Sequence, residues 1–224
     1  MPDRSPARVL AQKHLARGDP LGWFEPLYAG AGADPAAVPW ADLRPNPNLV
    51  EWLDARPSPS GRTALVVGCG LGDDAEELGR RGLRVTAFDI SPTAIAWCNR
   101  RFPRSPVRYA VADLLSPPAE WTRAFDFVFE SYTLQVLPPD LRLAATQSLS
   151  RFLAPGGALL LICRGRDPTD PPGEMPWPLT RPELEESARA AGLVEESFED
   201  FVDAETPPVR RFRVVYRAGD SAPA

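Results

Sequence analysis

An α/β fold built on an open, mostly parallel sheet is predicted by three observations. Short apolar runs alternate with helix-like stretches from Thr63 onward. A glycine cluster, Gly68-Cys69-Gly70-Leu71-Gly72, separates the first apolar run from the first of those helices. The last two strand-like runs are joined by a short connection containing Pro207 and Pro208. Apolar runs alternating with helices mark parallel strands covered by helices. A strand that ends in glycines and feeds a helix lets backbone N–H groups approach a ligand closely, and a short strand-to-strand connection makes an antiparallel pair. The expected architecture is a doubly wound, seven-stranded, mostly parallel sheet with one antiparallel edge strand, helices on both faces and an N-terminal cap.

In chain order, Ser5 to Arg17 reads as a helix broken by Gly18-Asp19-Pro20. Trp23, Phe24, Tyr28 and Trp40 follow among glycines and prolines, without a period that places them on one helix face. Asn48 to Arg56 reads as a short helix, and Pro57-Ser58-Pro59-Ser60-Gly61 as a linker. Residues 1–60 are accordingly an N-terminal helical and aromatic cap that is not independent, and residues 61–224 the main domain. In the main domain, strand Thr63 to Val67 leads to helix Asp73 to Arg81, strand Arg84 to Phe88 to helix Pro92 to Phe102, and strand Val107 to Val111 to a proline-rich loop. Strand Phe125 to Phe129 precedes helix Asp140 to Leu153 and strand Ala158 to Cys163. Thr180 opens a further helix, with Glu183 placed for a capping box and Gly192 placed to close it. Strands near Val194 to Val202 and Val209 to Tyr216 complete the set.

Composition bounds the function. The chain has 224 residues, 44% of them hydrophobic and 25% charged, with a net charge of -5. That is enough for one large domain with a core, and it gives no electrostatic reason to expect nucleic-acid binding. No run approaches the roughly 20 apolar residues of a membrane span, and the N-terminus lacks a secretory apolar core, so a cytoplasmic protein is expected. Cys69, Cys98 and Cys163 are widely spaced with no C-x-x-C pair, and His14 is the only histidine. Neither a disulfide framework nor a metal site is expected, and a Ser-His-Asp hydrolase is disfavoured.

The glycine cluster also discriminates among ligands. The dinucleotide fingerprint G-x-G-x-x-G requires its third glycine where this sequence has Asp73. Asp73 and Asp74 together would repel a diphosphate and would suit a ligand carrying an ammonium and no phosphate. Asp89 ends the second strand about 20 residues further on, where a carboxylate can accept both hydroxyls of a ribose. Asp89 and Ser91 also precede a helix, where either can act as N-cap. Asp113, in Ala112-Asp113-Leu114, can accept from an adenine amino group or cap its own loop.

In this order, the motifs resemble those of the class I S-adenosylmethionine-dependent methyltransferases from Thr63 to Cys163. Gly68 to Gly72 resembles the first motif of that family, Phe88-Asp89-Ile90-Ser91 the ribose-binding acidic motif, and Ala112-Asp113-Leu114 the adenine-side motif. Phe125 to Glu130 resembles the fourth-strand motif and Leu153-Ala154-Pro155-Gly156-Gly157 the turn before the fifth strand. The family's acidic residue two positions before the first glycine is Val66 here, which leaves Asp73 or Asp74 to face the ammonium. The N-terminal part is similar to the thiopurine, thiol or halide, and tellurite-resistance methyltransferases, through Trp23, Tyr28 and Pro39-Trp40-Ala41-Asp42, with Ala41 as an insertion.

The resemblance implies a Rossmann-like fold and an enzyme that moves a methyl group from S-adenosyl-L-methionine to a small-molecule nucleophile by in-line displacement. It implies cofactor contacts from Gly68, Cys69, Gly70, Gly72, Asp74, Asp89, Ile90, Ala112, Asp113, Leu114 and Glu130, with Trp23 and Trp40 from the cap. Trp23, Tyr28, Trp40 and Tyr132 can hold a sulfonium by cation–π attraction or simply pack the core. With one histidine in the chain, soft acceptors such as thiols, already a few per cent ionised at neutral pH, are favoured. Glu130 and Tyr132 are the catalytic candidates, Glu130 either as a base for a hydroxyl or amine or as an acceptor of backbone or cofactor hydrogen bonds. The segment from Arg164 to Pro178 is too long for a simple connection, and Tyr28, Arg164, Arg166 and Trp177 are candidates for a substrate lid. A binding protein without catalysis shares the glycine loop. A nicotinamide dehydrogenase is disfavoured by Asp73, and a nucleic-acid base methyltransferase by the absence of an Asn/Asp-Pro-Pro-Tyr motif at Glu130 to Thr133. Arg100, Arg101, Arg104 and Arg108 are read as a solvated helix end and strand start.

Overall fold

A computed structural model describes residues 4–32, 34–57 and 61–219, so Ser58, Pro59 and Ser60 of the expected linker lie outside the described residues. Seven strands form one sheet: β1 (Thr63–Val67), β2 (Arg84–Asp89), β3 (Arg108–Val111), β4 (Phe125–Ser131), β5 (Leu153–Arg164), β6 (Leu193–Val202) and β7 (Arg210–Ala218), in the order β3-β2-β1-β4-β5-β7-β6. β1 pairs parallel with β4, β2 with β3, and β4 with β5. β7 runs antiparallel to both β5 and β6. The expected reversal therefore lies at this end of the sheet, with the reversed strand inserted between β5 and the edge strand β6. A short connection after β6 forces the hairpin, and β6 itself lies parallel to β5, one strand removed, which leaves the slot that β7 fills.

Among the described residues seven α-helices accompany the strands: α1 (Ser5–Leu15), α2 (Phe24–Gly30), α3 (Pro47–Asp54), α4 (Asp73–Arg80), α5 (Pro92–Arg101), α6 (Pro139–Phe152) and α7 (Arg181–Ala190). The chain divides into two compact units, Met1–Gly61 with Gly68–Asp113, and Arg62–Val67 with Leu114–Ala224.

In the first unit, α5 starts because Ser91 accepts a hydrogen bond from the Ala94 backbone N–H at 3.1 Å and Pro92 occupies the first helical position. The aromatic segment, read as aperiodic, contains the short helix α2. Seven residues make about two turns, too few to show a period across aromatics spread from Trp23 to Trp40. Its apolar residues are nevertheless buried: Tyr28, Ala31 and Val38 cluster with Leu71, Ala94 and Trp97.

In the second unit the central strands β1, β4 and β5 are apolar almost throughout, and Leu65, Val128, Leu159, Leu160 and Ile162 are fully buried. Strands covered on both faces show such runs instead of alternation. The capping box forms as expected: Thr180 Oγ1 accepts from the Glu183 N–H, and Glu183 Oε2 accepts from the Thr180 N–H at 2.6 Å. Gly192 follows α7 at φ +70°, a conformation that favours glycine.

Thr180→Ala removes this reciprocal cap, and an expected loss of about 1 kcal/mol of stability would appear as a lower urea midpoint with an unchanged m-value.

Candidate active site

The glycine loop leaves β1 in a left-handed conformation, with Gly70 at φ +54° and Gly72 at φ +91°. A Cβ on Gly70 would stand 3.3 Å from Tyr28 Oη, and one on Gly72 would stand 2.6 Å from Tyr109 Oη. Backbone conformation favours glycine at both positions, and at Gly72 close packing against Tyr109 requires it as well. The loop is tied to β2 by the Cys69 N–H donating to Phe88 O at 2.8 Å, and Cys98 Sγ donates to Gly70 O at 3.2 Å.

Asp89 fastens the loop from the end of β2. Its Oδ2 accepts from the Gly70 N–H at 3.0 Å and its Oδ1 from the Ser91 N–H at 2.9 Å. Ser91, not Asp89, caps α5, which settles the two roles the sequence left open for the N-cap. Burial raises the Asp89 carboxyl to about 6, against the lowering effect of the N–H groups of Ser91, Gly70 and Ile90, and the charge of Glu25 adds to the rise. Ile90, Ala112 and Asp113 are half-buried and Leu114 is buried; the Ala112 N–H donates to Asp89 O at 3.1 Å.

The acidic pair behind the glycines does not act as two free charges. Arg101 Nη1 and Nη2 each donate to one oxygen of Asp73 at 2.8 Å, and Arg101 also donates to Leu71 O. Asp74 Oδ1 accepts from the Asn46 N–H at 2.7 Å, and burial raises its carboxyl to about 7, with Asp73, Glu77 and Asp42 adding to the rise. The sequence reading of Arg101 as a solvated helix end is thereby corrected: it is a wall of the loop. The partners are 28 residues apart, and no local pattern announces such a pair.

The cap aromatics fall into two situations. Trp23 and Tyr28 are fully buried, while Trp40 keeps 37% of its surface exposed. Trp40 Nε1 donates to Tyr28 Oη at 2.8 Å, and the Trp23 ring stacks on Phe24 at 4.0 Å and meets Trp40 edge-on at 6.0 Å. Tyr28, a lid candidate from sequence, sits instead beneath the glycine loop beside Gly70.

In the second unit Glu130 is completely buried at the carboxyl end of β4. Its Oε1 accepts from the Thr133 and Leu134 N–H groups at 2.6 and 3.1 Å, whereas Oε2 has no hydrogen-bond partner among the described residues. Burial raises this carboxyl to about 7, against those two bonds. Tyr132 follows at φ +67°, its ring 4.7 Å from the guanidinium of Arg211, which Asp203 and Glu205 hold from the other side. Sequence reasoning missed Arg211, whose place depends on strand order and not on any motif.

The segment after β5 is anchored at its base. Gly165 bridges to Leu179, the Arg164 N–H donates to Gln135 Oε1 at 2.7 Å, and the Trp177 N–H donates to Gln135 O at 2.7 Å. Arg166 donates to Pro178 O at 3.1 Å and Asp170 O at 3.0 Å and pairs with Glu183, so its charge is satisfied within the loop and its neighbouring helix. Arg142 lies 5.9 Å from the Trp177 ring. Gln135, also missed from sequence, joins both ends of this segment to the turn after β4. Among the described residues no group of three or more His, Cys, Asp or Glu could hold a metal ion, and no helix is long and apolar enough to cross a membrane.

Residues 64–157 match the model of a methyltransferase domain. The chain is 27% identical over 158 residues to a probable thiol methyltransferase 2 of Arabidopsis thaliana, covering 70% of this chain and 67% of the relative. It is 29% identical over 127 residues to thiocyanate methyltransferase 1 of the same plant, covering 56% of each, so the chain spans little more than half of that relative's length. A solved structure concerned with conversion of a disulfide bond into a thioacetal group during echinomycin biosynthesis superposes with a TM-score of 0.74 at 22% identity, covering 90% of this chain and 93% of the other.

The fold is therefore the Rossmann-like fold of S-adenosylmethionine-dependent methyltransferases. Its sequence resembles the class I members of that group and, within them, the thiol methyltransferases. S-adenosylmethionine is the cofactor of this class.

Glu130 supplies a pH test. A carboxyl raised from 4.5 to about 7 by folding binds more protons folded than unfolded in that interval, so its stabilising effect is complete below pH 4.5 and is lost as pH rises through 7. Asp74 and Asp89 act with the same sign. Glu130→Gln is expected to shrink the stability difference between pH 4.5 and 8, by up to about 3 kcal/mol. Urea midpoints of both proteins at the two pH values measure it, and an equal difference in both would mean that folding does not raise the Glu130 carboxyl.

Proposed function

We propose that this chain transfers a methyl group from S-adenosyl-L-methionine to a small-molecule thiol or another soft acceptor. The reading is carried by the buried carboxylate of Asp89, joined to the Gly70 N–H at the end of β2. An ionised carboxylate offers about four lone-pair directions; Gly70 and Ser91 take two, and the Ile90 N–H bears on the same carboxylate. The capacity that remains suits a ribose hydroxyl. Gly68, Cys69, Gly70 and Gly72 would face the cofactor with backbone groups, Ala112, Asp113 and Leu114 would meet the adenine side, and Asp74 would face the ammonium. Trp40, with its partly exposed ring, would offer a π face to a sulfonium, with Trp23 behind it. The residues fit such a ligand better than a diphosphate, because Asp73, Asp74 and Asp89 gather carboxyl groups around the loop and Arg101 is already bound to Asp73.

The cofactor supplies an electrophilic methyl carbon whose bond to sulfur breaks as the bond to the acceptor forms. The protein is then left to align the acceptor and exclude water. A thiol suits such a site because little activation is required, and the single histidine, His14, is engaged with Asp19 at 2.9 Å. The names of the two plant relatives support a thiol or thiocyanate-like acceptor. We further propose that residues 1–60 act as a cap for a methyltransferase domain of residues 61–224, and that Arg164, Arg166 and Trp177 shape the acceptor side.

A second reading is favoured by Glu130. With Oε2 unpartnered and its carboxyl raised to about 7, it is suited to take the proton of a hydroxyl or amine acceptor, with Tyr132 beside it.

Calorimetry with S-adenosylhomocysteine tests the cofactor, and S-adenosylhomocysteine release across thiol, hydroxyl and amine panels tests the acceptor. Binding is expected for the wild type, weakened about 10- to 100-fold in Asp89→Asn, as befits loss of charge-assisted hydrogen bonds, and turnover is expected first among thiols. Turnover confined to hydroxyls and abolished by Glu130→Gln would move the assignment to the second reading. Failure to bind S-adenosylhomocysteine alongside tight binding of NADH would overturn both.

A further inference from the structure

Glu25, in the first turn of α2, makes contacts that nothing in its local sequence announces. Its Oε2 accepts from Ser91 Oγ at 2.5 Å and from the Thr93 N–H at 3.1 Å, and its Oε1 accepts from Thr93 Oγ1 at 2.6 Å. It thereby supplies a second cap for α5 from more than sixty residues upstream. The Thr93 N–H is one of the donors that a helix start leaves unsatisfied, and Ser91 Oγ already takes another, from Ala94. A carboxylate at that helix end is favoured by the dipole as well as by the bonds. Burial would raise the Glu25 carboxyl, but the bonds from Ser91 and Thr93 outweigh it and hold it below its ordinary value, so it is ionised.

The contacts continue toward the glycine loop. The Ser91 hydroxyl donates to Glu25, the Ser91 N–H donates to Asp89 Oδ1, and Asp89 Oδ2 accepts from Gly70. One turn along α2, Tyr28 packs against Gly70 directly. Helix α2 thus bears on the loop at two points, once by packing and once by a charged chain of hydrogen bonds. The titratable groups that face Asp89 are Glu25 and Tyr28 of α2 and Cys69 of the loop, and Cys98 of α5 faces Tyr28 and Cys69. Burial keeps Tyr28 and Cys69 protonated, so Glu25 is the neighbour whose charge Asp89 feels.

We propose that Glu25, which lies outside the matched residues 64–157, is a positioning residue for the cofactor site, holding Asp89 and Gly70 in register through Ser91 and setting the charge that Asp89 presents. The proposal rests on the reading of Asp89 as the ribose acceptor.

The test uses the full chain. S-adenosylhomocysteine affinity is measured by calorimetry from pH 5 to 8.5 for the wild type, Glu25→Gln and Glu25→Ala, with amide hydrogen exchange at Thr93 and Gly70 followed without ligand. The wild-type affinity is expected to fall on the acid side with a midpoint near Asp89's value of about 6. Glu25→Gln is expected to weaken binding about tenfold at pH 8 and to move that midpoint to lower pH, because removing the neighbouring negative charge makes Asp89 easier to ionise. Exchange at Thr93 and Gly70 is expected to accelerate, more in the alanine variant. If the alanine variant does not fold, Glu25→Gln alone decides the matter. Unchanged affinity at pH 8, or a midpoint that stays in place, would overturn the proposal while leaving the cofactor reading intact. A wild type that binds no S-adenosylhomocysteine would overturn the cofactor reading and this proposal with it.

Discussion

The buried carboxylate of Asp89, bridging the Gly70 and Ser91 N–H groups, is the interaction on which the first unit depends. A carboxylate out of water is costly unless its oxygens are satisfied, and here the donors come from the two places where the chain must turn sharply. Gly70 offers its N–H because the left-handed loop points it toward β2, and Ser91 offers its own because the chain there is starting α5. Removing Asp89 would therefore leave two buried donors unsatisfied at once, a larger penalty than the two bonds contribute net. Glycine is favoured at Gly70 by its left-handed φ of +54°, and a Cβ there would stand tightly, 3.3 Å from Tyr28 Oη.

Legibility in the sequence followed the range of the interactions. The capping box at Thr180 and Glu183, the stop at Gly192, the glycine loop and the strand that ends at Asp89 are local, and each is written in residues a few positions apart. The pairs Asp73 with Arg101, Asp74 with Asn46 and Glu25 with Thr93 join residues 28 to 68 positions apart. Any surface charge has the composition to form such a pair, so residue type alone does not select the partner. The insertion of β7 between β5 and β6 belongs to the same class, since a short hairpin connection dictates antiparallel pairing but not which of two strands takes the edge. Helix α2 escaped for a different reason: two turns are too few for a period, and its residues are buried by tertiary packing with Leu71, Ala94 and Trp97.

The second unit uses arginines to fix geometry. Arg211 is nearly completely buried, held by Asp203 and Glu205 while its guanidinium lies over Tyr132. Tyr132 needs such support because its backbone sits in a left-handed conformation that costs a non-glycine residue about 1 kcal/mol or more. Arg166 and Arg142 are likewise engaged, with Pro178, Asp170 and Glu183 in one case and Leu137 and Glu183 in the other. Charges held in this way act as struts, and the turn after β4 and the segment after β5 inherit their shape from them through Gln135.

Asp74, Asp89 and Glu130 share one electrostatic origin that bears on ligand binding. In each the rise is caused first by burial and only secondarily, if at all, by neighbouring acids. A group raised by desolvation has lost hydration without gaining enough donors, so any ligand that brings donors lowers its pKa again and is bound more tightly by the ionised form. By linkage, such binding releases a proton wherever the free carboxyl is partly protonated. Hydroxyls presented to Asp89 would do this near pH 6, and an ammonium presented to Asp74 near pH 7. A diphosphate would bring acceptors and negative charge to the same carboxyls and push both the other way. The preference for a cationic, hydroxyl-bearing ligand thus follows from what burial has taken from these side chains, with Asp73 removed from the balance by Arg101.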